Sequence, residues 1–128
     1  MDHVHRCSYA RNDLKSNNVV VEKCEDELLH PVIIDFGESV LLIKAKDPMA
    51  KPMHIRDQYK NNYSAPELVD GTGKPSTKSD IYVLSFLIKS VYRLLHFRNV
   101  VAVKKALVTS PEERLTIKEL KSALSADY

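Results

Sequence analysis

Residues 81–95, "IYVLSFLIKSVYRLL", constrain the fold more than any other stretch. Ile81, Val83, Leu84, Phe86, Leu87, Ile88, Val91 and Leu94 fall on nearly every face of a helix. A helix that is apolar all round must be surrounded by other elements, so this segment predicts a central helix from about Ser79 to Leu95. The run is too short to span a bilayer and carries Lys89 and Arg93, which points to burial within protein and no membrane partner. "DGTGKPSTK" at 70–78 is turn-rich, and Ser79 or Asp80 is the expected helix cap.

Further helices follow. A brief "HFRN" link leads to a helix over Val100–Val108. Ser110-Pro111-Glu112-Glu113 has the capping-box pattern with proline at the first helical position, and Thr116-Ile117-Lys118-Glu119 repeats the box before "LKSAL". Towards the N-terminus, "NNVVVE" at 17–22 and "PVIIDF" at 31–36 are β-branched runs separated by the charged "KCEDELLH", the pattern of a hairpin. From Glu38 to Ser64 periodicity fades around Pro48 and Pro52, which predicts mostly irregular chain. The expected fold is mainly α with a small β-hairpin, in a single domain of 128 residues.

The charge balance, 19 basic against 17 acidic residues without a block of one sign, argues against a nucleic-acid partner or a polybasic membrane surface. Cys7 and Cys24 lack zinc-finger spacing and make no disulfide framework, so free thiols in a reducing compartment are expected. "MDHVHRCSYA" has no apolar signal-peptide core, and the expected location is intracellular and cytoplasmic. His3 and His5 stand at strand-like spacing, and with His30, His54 and His96 they read as solvated or packed side chains rather than ligands.

Phosphoryl transfer needs clamped phosphates, an orienting base at the attacking hydroxyl and positive charge on the moving group. "ARNDLKSNN" at 10–18 supplies such groups: Asp13 to orient a hydroxyl, Lys15 to neutralise the transferred phosphate, and the Asn18 amide oxygen to bind Mg²⁺. "IIDFGES" at 33–39 adds the carboxylate of Asp35 at a strand end, followed by Phe36 and by Gly37, which permits a sharp turn. One hairpin separates Asp13 and Asn18 from Asp35, so a shared metal site is geometrically reasonable.

In that order, "NDLKSNN", "DFG" and "YSAPE" at 63–67 resemble the catalytic loop, metal-binding motif and activation-segment end of the protein kinases. "KSDIYVLSFLI" and "SPEERLTIKEL" resemble that family's central and final helices, and the likeness runs from about Tyr9 to Leu124. It implies a kinase-like C-terminal lobe, with catalytic loop 11–18, hairpin 18–36, activation segment 35–67 and helical bundle 79–124. It further implies Mg²⁺ and ATP as cofactors, metal ligation by Asn18 and Asp35, and Asp13 and Lys15 as the catalytic pair. By the same likeness Asp80 would hold the catalytic-loop backbone, and Arg114 would pair with Glu67.

The sequence also departs from the family. Arg11 stands where the family has histidine, altering the contact expected with Phe36, and Asn12 replaces the arginine that partners an activation-loop phosphate. Gly37, Gly71 and Gly73 all follow Asn18, and twelve residues before Asp13 cannot encode a nucleotide-covering sheet and its helix. The expectation is the helical lobe alone, inactive in isolation, whose partner is a protein substrate or a complementary N-terminal lobe. Lys15 leans the acceptor towards Ser/Thr rather than Tyr. A kinase-derived interaction module is the alternative. A small-molecule phosphotransferase of the aminoglycoside-kinase type is disfavoured by "YSAPE" and Arg114. Tyr59, Tyr63 and Ser64 are candidate phosphorylation positions, with packing preferred for Tyr63. "GTGKPST" lacks the glycine at Leu68 and the hydroxyl at Pro75 that a phosphate loop requires.

Overall fold

The computed structural model describes residues 1–47, 49, 50, 52, 64–95 and 101–126. In chain order these form α1 (Asp2–Arg6), β1 (Tyr9–Ala10), β2 (Val19–Lys23), β3 (Leu29–Ile33), β4 (Val40–Leu41), α2 (Pro66–Asp70), α3 (Thr77–Leu94), α4 (Val101–Ala106) and α5 (Ile117–Ala126). Short 3₁₀ turns cover Ser16–Asn18, Leu42–Lys44 and Pro111–Glu113. The architecture is mainly helical with small antiparallel strand pairs. Among the described residues no helix is long and apolar enough to cross a membrane.

The hairpin forms between β2 and β3, in a register running from Val19 opposite Ile33 to Lys23 opposite Leu29. Pairing stops at Ile33, so Asp35 and Phe36 lie beyond the strand rather than inside it. A second ladder, Tyr9 opposite Leu41 and Ala10 opposite Val40, joins segments that sequence periodicity leaves unmarked. Two-residue strands are too short to display an alternation. His3 and His5 lie on helix α1.

Helix α3 begins two residues before the expected start, because Ser76 is its cap. Ser79 N–H donates to Ser76 Oγ at 3.1 Å and Ser76 N–H donates to Ser79 Oγ at 2.9 Å, a reciprocal box in which serine takes the usual glutamate place. This leaves the Asp80 carboxylate for partners outside the helix. At Thr116 the second predicted box is complete, with Glu119 N–H on Thr116 Oγ1 at 3.2 Å and Thr116 N–H on Glu119 Oε2 at 2.7 Å. The first is not: Ser110 Oγ donates to Glu112 Oε2 at 2.8 Å, and Pro111–Glu113 forms one 3₁₀ turn.

The core gathers Ile81 of α3, Ala102 and Ala106 of α4 and Leu120 of α5, with Leu84, Leu115, Ile117, Ala123 and Leu124 packed around them. Only the first half of α3 is enclosed. Val91 and Leu94 are 44% and 78% exposed, although the sequence suggests burial throughout. Between this open half and the hairpin lies an apolar cavity of about 550 Å³, lined by Val19, Val21, Ile33, Ile88 and Val91 among others. Helix α2 ends on Gly71 in the left-handed conformation, φ 70°. A Cβ there would stand 2.6 Å from the backbone nitrogen of Ala50, so both conformation and space require glycine. The "HFRN" link, Tyr59 and Tyr63 lie outside the described residues.

Candidate functional site

Residues 11–18 are held from beneath by helix α3. Asp80 Oδ2 accepts the backbone N–H of Arg11 at 2.6 Å, and Oδ1 accepts that of Asn12 at 2.9 Å. His5 Nε2 lies 3.0 Å from the same Oδ2, with both side chains nearly buried. A buried carboxylate needs several donors, and these three come from two separate segments. Asn12 takes a left-handed φ of 62°, a conformation asparagine tolerates better than most residues. Asp80 therefore fixes both the position and the bend of the loop. Sequence reasoning missed His5 because an i, i+75 partner leaves no local signal.

Within the loop, Asn18 Nδ2 donates to the Asp13 backbone oxygen at 2.8 Å and to Asp13 Oδ2 at 2.9 Å. Lys15 Nζ approaches Asp13 Oδ2 at 3.0 Å. Lys15 and Asn18, both selected from the sequence, thus converge on one carboxylate oxygen of Asp13. Among the described residues no donor takes Asp13 Oδ1, while Oδ2 is engaged by Asn18 and Lys15. With the amide nitrogen committed to Asp13, the Asn18 amide oxygen is its remaining polar atom. A cavity of about 70 Å³ beside the loop is lined by Asp13, Lys15 and Ser64 among others. It admits a hydroxyl-bearing group but is far below the roughly 300–1,000 Å³ of small-molecule sites.

Asp35 is tied to this loop indirectly. Ile34 N–H donates to the Asn18 backbone oxygen at 2.9 Å, extending the hairpin ladder by one bond and setting Asp35 next to it. Arg11 Nη2 donates to the Ile34 oxygen at 2.7 Å. Among the described residues Asp35 makes no hydrogen bond or ion pair with Asp13, Lys15 or Asn18. The sharp turn out of the strand is made by Asp35 itself, φ 59°, and not by Gly37 as the sequence suggested. Gly37 has another use: its N–H donates to Asp35 Oδ1 at 3.3 Å, and a Cβ on it would stand 3.3 Å from that oxygen.

Arg11 is fully buried, with its guanidinium carbon 4.9 Å from the centre of the Phe36 ring. This is a cation–π contact to a half-exposed ring. Among the described residues, Arg11 Nε and Nη1 have no partner. A buried cation with one side-chain hydrogen bond is costly, and it ties the 11–18 loop to the Ile34–Phe36 segment.

At the far side of α3, Arg114 and Glu67 form a buried, two-bond pair. Arg114 also donates to the backbone oxygens of Val108, Thr109 and Lys78, and Lys78 Nζ returns a hydrogen bond to the Arg114 oxygen. Its guanidinium carbon stands 4.8 Å from the Tyr82 ring centre. Burial pushes the Tyr82 phenol above its ordinary value, against the opposing charge of Arg114 and with a smaller push from Glu67.

A search of protein-family models finds none that matches this chain, and a search of curated proteins finds no match.

Proposed function

We propose that this chain is the C-terminal-lobe portion of a protein-kinase-like domain, transferring a phosphoryl group from Mg²⁺-ATP to a protein Ser/Thr hydroxyl once a nucleotide-covering lobe is supplied. The observation that carries the reading is the grip of Asp80 on the Arg11 and Asn12 backbone, beneath a loop in which Lys15 and Asn18 both meet Asp13. Asp13 Oδ1 would accept or orient the proton of the acceptor hydroxyl, and Lys15 carries the positive charge needed beside the transferred phosphate. The cavity lined by Asp13, Lys15 and Ser64 suits an acceptor side chain rather than a nucleotide.

The donors fit Mg²⁺. A carboxylate and an amide oxygen are hard ligands, and the Asn18 amide is oriented by its bonds to Asp13 with the oxygen left over. Asn18 and Asp35 would hold the ion, whose chemistry is to neutralise phosphate oxygens. The residues of this sequence provide no glycine-rich cover for those phosphates, so another lobe or partner is needed for activity.

Calorimetry of the purified chain with Mg²⁺-ATP tests the dependence on a second lobe. Weak or undetectable binding is expected, and a micromolar Kd would overturn it. Mn²⁺ as a paramagnetic Mg²⁺ surrogate tests the metal site: amide signals of Asn18 and Asp35 should broaden first, and broadening elsewhere alone would sink the assignment. Phosphotransfer abolished by Asp13→Asn would establish full activity in the chain itself.

A second reading is a kinase-derived interaction module. It is favoured by the exposed apolar surface of the hairpin and of late α3, where Val21, Leu29 and Leu94 are 63%, 69% and 78% exposed.

A further inference from the structure

We propose a second metal site, for a borderline-soft divalent ion of the Zn²⁺ class, at the tip of the β2–β3 hairpin. Its ligands are Cys24 Sγ, His30 and Asp26, whose ligand atoms all lie within 4.8 Å of one another. The inference is independent of the phosphoryl-transfer reading, since Asn18 and Asp35 belong to the opposite end of the hairpin.

Strand register explains why these residues meet. Glu22 is paired with His30, and one residue past β2 the Cys24 N–H still donates to the Leu28 oxygen at 3.1 Å. Alternation along the ladder therefore puts Cys24 on the same face as His30, as a diagonal neighbour. The turn then brings in the third ligand. Glu27 N–H donates to the Cys24 oxygen at 3.0 Å, with Glu27 itself at a left-handed φ of 62°. Leu28 N–H donates to Asp26 Oδ1 at 3.0 Å, while Asp26 Oδ2 lies 3.4 Å from His30 Nε2. One carboxylate oxygen is thus anchored to backbone and the other faces the imidazole, an arrangement that orients a ligand before metal arrives.

The donor chemistry selects the ion. A thiolate and an imidazole with one carboxylate suit Zn²⁺ in tetrahedral geometry with water in the fourth place, and they suit Mg²⁺ or Ca²⁺ poorly. Zinc bonds of about 2.0–2.3 Å require ligand atoms closer than they stand in the free hairpin, and the exposed Asp26 and His30 side chains can supply that movement. Glu22, Glu25 and Glu27 add negative charge around the site, against Lys23 alone within 22–30. The binding has a structural use. The distal hairpin is exposed on both strands, a two-stranded ribbon is marginal by itself, and a metal crosslink across its turn would order it.

Titration of the reduced full chain with Co²⁺, a spectroscopic stand-in for Zn²⁺, tests the site. One equivalent should produce a thiolate-to-cobalt charge-transfer band that Zn²⁺ displaces and excess Mg²⁺ does not. Cys24→Ser should abolish the band, and His30→Ala and Asp26→Asn should each weaken binding by about 10–100-fold. Cys7→Ser should leave it unchanged, although Cys7 Sγ has His3 Nε2 3.7 Å away. Zn²⁺ should also slow amide exchange in β2 and β3 of the wild-type chain and not of Cys24→Ser. Absence of the band, its survival in Cys24→Ser, its loss in Cys7→Ser, or unchanged hairpin exchange would overturn the proposal.

Discussion

Arg114 and Glu67, 47 residues apart, meet fork to fork: Nη1 on Oε1 and Nη2 on Oε2, each at 2.7 Å. Both side chains are buried, and Arg114 Nε is taken by the Val108 oxygen at 2.8 Å. Removing either partner leaves a buried charge uncompensated, so Arg114→Ala and Glu67→Ala should each destabilise the fold by about 3–5 kcal/mol. Arg114→Lys should recover little, because an ammonium cannot make the paired bonds. Urea unfolding followed by circular dichroism measures this, and a loss below about 1 kcal/mol would contradict it.

Asp80 is the corresponding tie for the loop. Asp80→Asn replaces one accepting oxygen with an NH₂ facing a backbone N–H, and weakens bonds now made to a charged acceptor. A loss of about 2–3 kcal/mol is expected. Amide exchange at Arg11 and Asn12 should accelerate beyond that of the α5 amides. Equal acceleration everywhere would mean that Asp80 supports the fold generally and does not position the loop.

Gly71→Ala tests the junction between α2 and the segment containing Ala50. The substitution strains a left-handed residue and drives a Cβ to 2.6 Å from a backbone nitrogen. Together these should lower stability by at least about 1–2 kcal/mol. Gly73→Ala, where the nearest atoms belong to the Glu67 side chain at 3.2 Å and φ is not left-handed, should lose less. The reverse order in thermal unfolding would be inconsistent with the geometry.

Tyr82 provides a pH signature. Its folded-state pKa is raised above the ordinary 10.0, chiefly by burial, so the folded chain holds the phenolic proton more tightly than the unfolded chain. The associated stability is complete below pH 10.0 and is lost as pH rises through the folded value. Wild-type stability should therefore fall more steeply above that pH than in Tyr82→Phe, which keeps the ring under Arg114 but has no proton to lose. Parallel pH curves for the two proteins would exclude this contribution.

Much of the architecture is legible locally. The apolar run at 81–95 announces its long helix, the β-branched runs announce their hairpin, and Thr116 with Glu119 announces the cap of α5, because periodicity and capping depend on residues a few positions apart. The loop residues Asp13, Lys15 and Asn18 are legible for a similar reason: they span six positions and one short turn brings them together.

Other features follow from contacts between distant segments. Ser76 rather than Asp80 caps α3, since Asp80 is drawn to the loop backbone and His5. The turn before Phe36 falls on Asp35 because ladder pairing ends at Ile33, and Arg11 reaches Phe36 through the antiparallel return of the hairpin. Burial of α3 covers only its first half, because the elements packed on it meet that half. By itself the sequence determined the helices, the hairpin and the residue types able to handle phosphate and metal, all set by short-range periodicity and side-chain chemistry. The motif likeness already implied Asp80 on the loop backbone and Arg114 with Glu67; only the tertiary structure decided that Asp80 also meets His5, that Arg11 meets the Ile34 oxygen, and that Cys24 meets Asp26 and His30. Strand register and helix packing, which act across long sequence separations, fix those distances.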